Sequence, residues 1–529
     1  MRPGRAGRAG PALLAAGLGA AYVIWSPASL DLAAHLLRVR LFQAEGFGIW
    51  DNWWYAGHDT PGYSVLFPAF GAALGPQLAA AVAVVGAVTL FELLVHDHFG
   101  EGAWLGALWF ALGAGAELFS GRLTFAFGLL PAVAALLALR RGRPWLAALL
   151  GVITALASPV AALFEALAGL AYAAGSLGAR RPRRAREVAR GLPGLVVGMA
   201  SLVPILILAL LFPEGGVEPF AFSALWPIPV IAALLLLVAP REAWALRTGV
   251  VLYATGCVLA YALSTPVGSN AARLGTLMAG PLAALLLWRR RPVVLALAFI
   301  PLLYLQTQAA VRDLRQAAGP ASTAAYYRPL LAFLGRQADP PNPPFRIEIP
   351  FTADHWEAYE VAPHSALARG WERQLDAEDN PLFYRGTLTA AKYEAWLHRI
   401  AVRFVAVADA RPDYSARKEL ALIDRGLAYL RLVWRSRHWR VYAVSDATPI
   451  VRGAVLRALG PDSLTIIARG PQTLAVRVRF TPYWALSGGP GCVVPDGDFT
   501  RVILRRAGTV RLIISFAPNR IGARSRRCT

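Results

Sequence analysis

Lysine is nearly missing from this 529-residue chain. Lys392 and Lys418 are its only two, so the formal charge of +21 is carried by arginine. Cysteine is scarce too: Cys257, Cys492 and Cys528 show no CxxC, zinc or haem spacing. There is no GxSxG elbow, Walker A loop, GxGxxG, HExxH or EF-hand pattern. No motif of serine-hydrolase, nucleotide, metalloprotease or calcium chemistry therefore organises the chain. Acidic residues number 32 against 53 basic ones. Such an excess is the usual mark of nucleic-acid binding. Here, however, the arginines gather in short connections between apolar runs, where the positive-inside bias accounts for them. No nucleic-acid partner is expected.

What the chain has in plenty is apolar sequence, with 56% hydrophobic residues and a mean hydropathy of +0.47. It is concentrated in the first three-fifths, which implies a membrane part followed by a soluble part. Residues 11–25, behind Arg2, Arg5 and Arg8, read as a retained first helix rather than a signal peptide, because further spans follow. Later runs lie near 77–95, 102–118, 123–139, 145–157, 159–175, 192–212, 223–239, 248–263, 274–288 and 292–308. With the first, they give about eleven spans, most near the length a bilayer needs. Starting with the N-terminus in the cytoplasm, the connections 140–143, 180–190, 241–247 and 289–291 fall inside, and these are the arginine-dense ones. The intervening connections are arginine-poor, and the C-terminal region emerges outside. This orientation requires Ser158-Pro159 to separate two helices. Cys492 and Cys528 then share an oxidising side and permit one disulfide, with two free thiols as the alternative.

Residues 26–68 stand out next. Asp31, His35 and Arg38 fall at i, i+4 and i+7 and share a helix face, with Leu32, Leu36, Leu37 and Leu41 on the other sides. That pattern predicts an interfacial helix within a first external loop at 27–68. Trp50, Trp53, Trp54 and Tyr55 follow, threaded with Asp51, Asn52, His58 and Asp59; aromatic residues of this kind settle at the lipid–water boundary. Other charges predicted on the outer side are Glu117 and Arg122 in one turn, Glu214 and Glu218 in PEGGVEPF, and Asn270 with Arg273 at the start of a span. Glu165 lies inside a span, where an ionisable side chain is costly and usually faces a cavity. Each has a plainer reading: arginines that snorkel, an interhelical hydrogen bond, a solvated loop charge.

From about residue 311 the composition turns globular. Residues 321–337 read as a helix; 345–351, 402–409 and 439–445 as strands; 389–400 and 415–430 as helices between them, making an α/β unit over 311–448. After Pro449 short strands separated by turn residues predict a β-sandwich-like unit over 449–529. The segment 355–384 is dense in polar and aromatic residues. His355, Glu357, His364, Arg369, Glu372 and Asp376 are candidates to line an acceptor cleft there, packing of a long loop being the alternative.

An acidic residue soon after the first span, an interfacial helix, about eleven spans and an external C-terminal region resemble the GT-C superfamily. The segment 25–68, the FSGRLTFAFG and LASPVAALF stretches and Asn270/Arg273 carry the resemblance. The TPYW run at 481–484 is also similar to YfhO-like bacterial membrane proteins. The resemblance implies a GT-C-like transmembrane domain over 1–310 in a bacterial plasma membrane. It also implies a polyprenyl-phosphate sugar donor and an envelope glycan or protein acceptor. The early acidic residue, by position Asp31, would serve as base or help to hold a divalent metal such as Mg or Mn, with Glu117 the other candidate ligand. His35, Arg38, Asp51, Asp59, Glu117 and Glu165 would support it, and Arg122, Asn270 and Arg273 would meet the donor phosphate. Family members often carry a tandem acidic pair or DxD here, and this chain has neither. A transporter or flippase, or a non-catalytic envelope-assembly protein of the same fold, are the competing classes. No inverted-repeat echo between halves favours transport.

Overall fold

The computed structural model describes residues 9–178, 184–338, 342–522 and 527–528. Arg2, Arg5, Arg8 and the 180–183 part of one arginine-rich connection lie outside the described residues. The chain divides into two compact units: residues 1–35, 62–209 and 217–315, and residues 36–61, 210–216 and 316–529.

The first unit is a helical bundle of the kind that crosses a membrane. Its helices are α1 (Gly10–Trp25), the start of α2 (Leu32–Glu45), α3 (Phe67–Leu74), α4 (Pro76–Phe99), α5 (Trp104–Phe119), α6 (Leu123–Arg140), α7 (Pro144–Ala157), α8 (Pro159–Gly178), α9 (Arg184–Leu211), α10 (Pro227–Val238), α11 (Trp244–Ala262), α12 (Ala272–Leu287) and α13 (Pro292–Gln316). Among the described residues, seven helical segments are long and apolar enough to cross a membrane, and four shorter apolar ones accompany them. Successive helices reverse. Ser26 at the end of α1 accepts from Gln77 Nε2 at the start of α4 at 3.0 Å, while Arg140 at the end of α6 donates to the Asp97 carbonyl at 2.9 Å. Ser158 adopts an extended backbone before Pro159, which ends α7. Glu165 then faces Gly151 and Thr154 of α7, so α8 folds back along it. Small residues set the closest helix contacts: a Cβ added to Gly194 of α9 would stand 2.5 Å from the Gly169 carbonyl of α8.

The expected interfacial helix is present as α2, but it is not half-exposed. Leu32, Ala33, Ala34, His35, Leu37, Arg38 and Val39 are all buried. Protein, rather than solvent or lipid, surrounds its first two turns.

The second unit opens with the 36–61 loop and its two-residue ladder, β1 (Trp50–Asp51) and β2 (His58–Asp59). Helix α14 (Ala324–Ala338) precedes a sheet in the order β4 (Ala366–Leu367), β3 (Arg346–Glu348), β5 (Val402–Ala408), β7 (Trp439–Val444), β6 (Leu430–Arg435), with α15 (Arg373–Asp379), α16 (Ala390–Arg399) and α17 (Arg417–Asp424) between strands. Thr389 caps α16 by accepting from Lys392 N. The helix expected to run to residue 430 stops early. Gly426, at φ +84°, turns the chain, and the segment beyond it becomes β6.

Two further sheets follow: β12 (Trp484–Ser487), β15 (Gly508–Ile514), β10 (Ser463–Ala468), β9 (Val455–Leu459), and β16 (Arg527–Cys528), β13 (Gly491–Asp496), β14 (Phe499–Leu504), β11 (Gln472–Arg479), β8 (Val451–Arg452). Alternating apolar positions of both, among them Leu464, Ile466, Leu474, Val476, Val502 and Leu512, form one core, and Trp50 joins it edge-on to Trp484. Cys257 is free and buried; Cys492 is disulfide-bonded, and Cys528 is its partner in the β13–β16 ladder.

Arg369 is the charged centre of the α/β core. Its guanidinium sits 3.9 and 4.0 Å from the Phe351 and Phe383 rings and bonds Asp376 at 2.6 Å, with Glu419 at 3.4 Å and Glu348 at 3.8 Å. Burial, reinforced by Glu419 alongside, pushes the Glu348 carboxyl well above the ordinary range. Arg369→Met would leave buried carboxylates without their cation, at a cost of about 3–5 kcal/mol. Denaturant unfolding followed by tryptophan fluorescence should show that loss; an unchanged midpoint would contradict it.

Candidate active site

In the bundle, the connection between α5 and α6 is a tight turn in which Arg122 N donates to the Glu117 carbonyl at 3.1 Å. Gly121 makes the turn at φ +75°, and a Cβ there would stand 3.0 Å from Leu32 N. Only glycine lets this turn press against the chain entering α2. The result is an ion cluster: Arg122 Nη1 lies 3.3 Å from Glu117 Oε2, and Arg122 Nε lies 3.8 Å from Asp31 Oδ2. Burial works against the Arg122 charge, but Glu117, Asp31 and Asp313 outweigh it and raise its pKa further. Asp31 is the most open of the three paired side chains, 29% exposed against 19% for Arg122 and 7% for Glu117.

Arg273 opens the first turn of α12, after a short turn over Gly268–Ala271 that is held where Ser269 Oγ donates to Glu218 Oε1 at 2.9 Å. Asn270 lies in that turn, its N–H on the Val267 carbonyl. Arg122, Glu117, Asp31 and Tyr63 are within electrostatic range of Arg273, and its guanidinium stands 5.7 Å from the Phe125 ring. Among the described residues Arg273 makes no ion pair. Directly beside it, Ala272, Leu274, Gly275 and Thr276 line one end of an apolar cavity of about 400 Å³ that runs between α6, α8, α10, α11 and α12, with Arg140 among its lining.

Two members of this neighbourhood were not singled out in the sequence. Asp313, buried near the end of α13 and 3.2 Å from Arg312 Nε, lies in range of Asp31 and Arg122. Tyr63 packs 5.5 Å from the His35 ring, with Phe67 at 5.6 Å. His35 thus rests among aromatic rings. Glu165 is in the bundle interior near Thr154 and Ser201.

The remaining candidates belong to the second unit, where His355 and Arg369 both contact the Phe351 ring and His364 lines a cavity of its own. Arg38 forms a buried ion pair with Glu372, whose own N–H bonds Tyr55 Oη at 2.8 Å. His355, stacked on Trp371 at 3.6 Å, lies 3.5 Å from Asp413 and 3.8 Å from Glu357. Burial lowers the His355 imidazole to about 4 and raises Glu357 to about 8. His364 lines a separate cavity of about 160 Å³ with Trp53, Phe345 and Ser365. Arg369 is interior, as described. Asp51 and Asp59 gather at His58: Asp51 Oδ2 is 3.5 Å from its Nε2, Glu214 Oε2 is 3.4 Å from its Nδ1, and Asp59 N donates to Glu214.

As for a divalent ion, no group of three or more His, Cys, Asp or Glu side chains near enough to hold one occurs among the described residues. The space between Asp31 and Glu117 is taken by the Arg122 guanidinium. As arranged, the pair does not fit a metal.

The fold and this cluster define a polytopic membrane protein whose bundle carries a charged site at one helix end, joined to a C-terminal region rich in β-structure. No protein-family model matches the sequence, and no curated protein does. Among solved structures the chain has loose likenesses. One is the cryo-EM structure of arabinofuranosyltransferase AftD from mycobacteria (mutant R1389S), with a TM-score of 0.45, 14% identity, and coverage of 98% of this chain and 60% of that one. Another is ArnT from Cupriavidus metallidurans in the apo state, with a TM-score of 0.41, 13% identity, and coverage of 80% and 97%. The chain thus spans about 60% of the length of the AftD chain. A likeness to YfhO-like proteins is not shown. Likeness this loose says nothing about chemistry, which rests on the cluster itself.

His58 yields a pH dependence. Burial alone would lower its pKa, but Glu214 and Asp51 raise it from 6.5 to about 10. Its charged contacts therefore stabilise the loop fully below about pH 6.5 and are lost as pH rises through about 10. Hydrogen exchange of residues 50–61 should quicken between pH 7 and 10 beyond the intrinsic rate change, and His58→Gln should abolish that excess. Equal profiles for both proteins would contradict it.

Proposed function

We propose that the chain is a membrane glycosyltransferase that moves a sugar from a polyprenyl-phosphate donor to an acceptor hydroxyl outside the cell, with inversion and with Asp31 as base. The observation that carries this reading is the juxtaposition in one bundle of a partly exposed carboxylate, an arginine engaged by neighbouring acids, and a second arginine that makes no ion pair among the described residues and whose chain neighbours line an apolar cavity. Asp31 takes the proton from the acceptor hydroxyl as its oxygen attacks the anomeric carbon. The new C–O bond forms as the bond from that carbon to the phosphate oxygen breaks, and the electron pair leaves with the polyprenyl phosphate. Arg273 meets the negative charge that develops on that phosphate. The cavity beside it takes the isoprenoid chain, since its walls are almost wholly aliphatic. The arginine-rich connections at 140–143, 241–247 and 289–291 support a cytoplasmic placement of the opposite helix ends.

The test is a membrane assay with a radiolabelled polyprenyl-phosphate-sugar donor. Asp31→Asn should insert and fold normally and lose transfer by about three orders of magnitude or more while still binding donor. Arg273→Gln should lose both transfer and donor affinity. Unchanged product with Asp31→Asn would remove it from the mechanism. Donor translocation without sugar transfer would instead identify a flippase.

A further inference from the structure

We infer that Arg122 stands in this site where a divalent cation would otherwise be needed: its guanidinium is the resident positive charge that holds Asp31 and Glu117 together, and the chain works without a metal. The inference deepens the glycosyltransferase reading and concerns the same cluster. A pair of carboxylates brought to one buried turn repels unless a cation lies between them. A bound divalent ion is one solution and a guanidinium is another, and the two are mutually exclusive in one space. Here the guanidinium faces Glu117 through Nη1 at 3.3 Å and Asp31 through Nε at 3.8 Å, with Asp313 in electrostatic range. The backbone that carries it is anchored, since Arg122 N closes the turn on the Glu117 carbonyl and Gly121 presses that turn against Leu32. The guanidinium itself is held by its pairing with the two carboxylates. Arg122 is thus a positioning residue for Asp31, which leaves Arg273 as the arginine for the donor phosphate.

The geometry makes a claim about metal binding that does not depend on knowing the substrates. Purified wild-type protein in nanodiscs, titrated with Mn2+ and followed by the EPR signal of the free ion, should bind none that Glu117→Gln removes. Arg122→Leu should gain about one Mn2+ per chain, because the Asp31 and Glu117 carboxylates then border the vacated space without the guanidinium between them. The double variant Arg122→Leu/Glu117→Gln should lose it, and Arg122→Lys should behave as wild type. Wild-type binding that Glu117→Gln abolishes would overturn the inference, as would a folded Arg122→Leu that binds no Mn2+. In the transfer assay, excess EDTA should leave the wild-type rate within about two-fold, while Arg122→Leu falls about ten-fold or more; a wild-type rate lost in EDTA and restored by Mn2+ would also overturn it. Absence of transfer under every condition would defeat the enzyme reading while the Mn2+ titration still decided this one.

Discussion

The bundle's site depends on one constraint, a guanidinium confined between two carboxylates in a turn too tight for any residue but glycine at position 121. Glu117 and Arg122 sit at the ends of the same turn, so their pairing is set by local backbone geometry. Asp31 is brought to them from a different part of the chain, through the contact of the turn with the entry to α2. Charge that would be prohibitive at the end of a membrane helix is tolerated because the acids and bases are counted nearly even: Asp31, Glu117 and Asp313 against Arg122 and Arg273. The small asymmetry in their pairing is what makes chemistry plausible. One arginine is engaged by carboxylates, and another, Arg273, makes no ion pair among the described residues and sits in the chain between Ala272 and Leu274, which line an apolar cavity.

The second unit solves its own electrostatic problem in the same way. Arg369 is wedged between two aromatic rings and neutralises a nest of carboxylates, and His58 is clasped by Asp51 and Glu214. These networks specify a unique packing of loop 36–61, in which Trp50, Trp54 and Tyr55 are themselves buried: Trp50 in the β-sandwich core, Trp54 stacked on His58, Tyr55 bonded to the Gly370 carbonyl. The density of polar residues in 355–384 thus has a structural explanation for Arg369 and Glu372.

Much of the bundle was legible because apolar runs and arginine-rich connections are long-range, redundant signals. Asp31, Glu117, Arg122 and Arg273 could be named because charges at the ends of apolar runs are rare enough to stand out. Asp313 could not: it lies in VRDLRQ, where the composition already reads as globular, and only the length of α13 carries it back to the cluster. The surface-lying α2 was misjudged because a helical face of Asp31, His35 and Arg38 reads the same whether water or protein covers it. Strand β6 was hidden by a helix-like run that Gly426 interrupts, and β13 by its Gly-Pro-Gly entry and Pro495. That His355 and Arg369 meet at the Phe351 ring while His364 lines a cavity of its own follows from tertiary packing, which spacing along a loop does not encode.

The central claim is that Asp31 and Arg273 work on the same bound donor. A cryo-EM map of the protein with a non-hydrolysable polyprenyl-phosphate-sugar analogue tests it most directly. The account requires the phosphate oxygens within about 3 Å of the Arg273 guanidinium, the isoprenoid chain in the cavity beside Gly275 and the anomeric carbon turned toward Asp31. A phosphate bound elsewhere, with Asp31 still closed on Arg122 and no sugar before it, would contradict it.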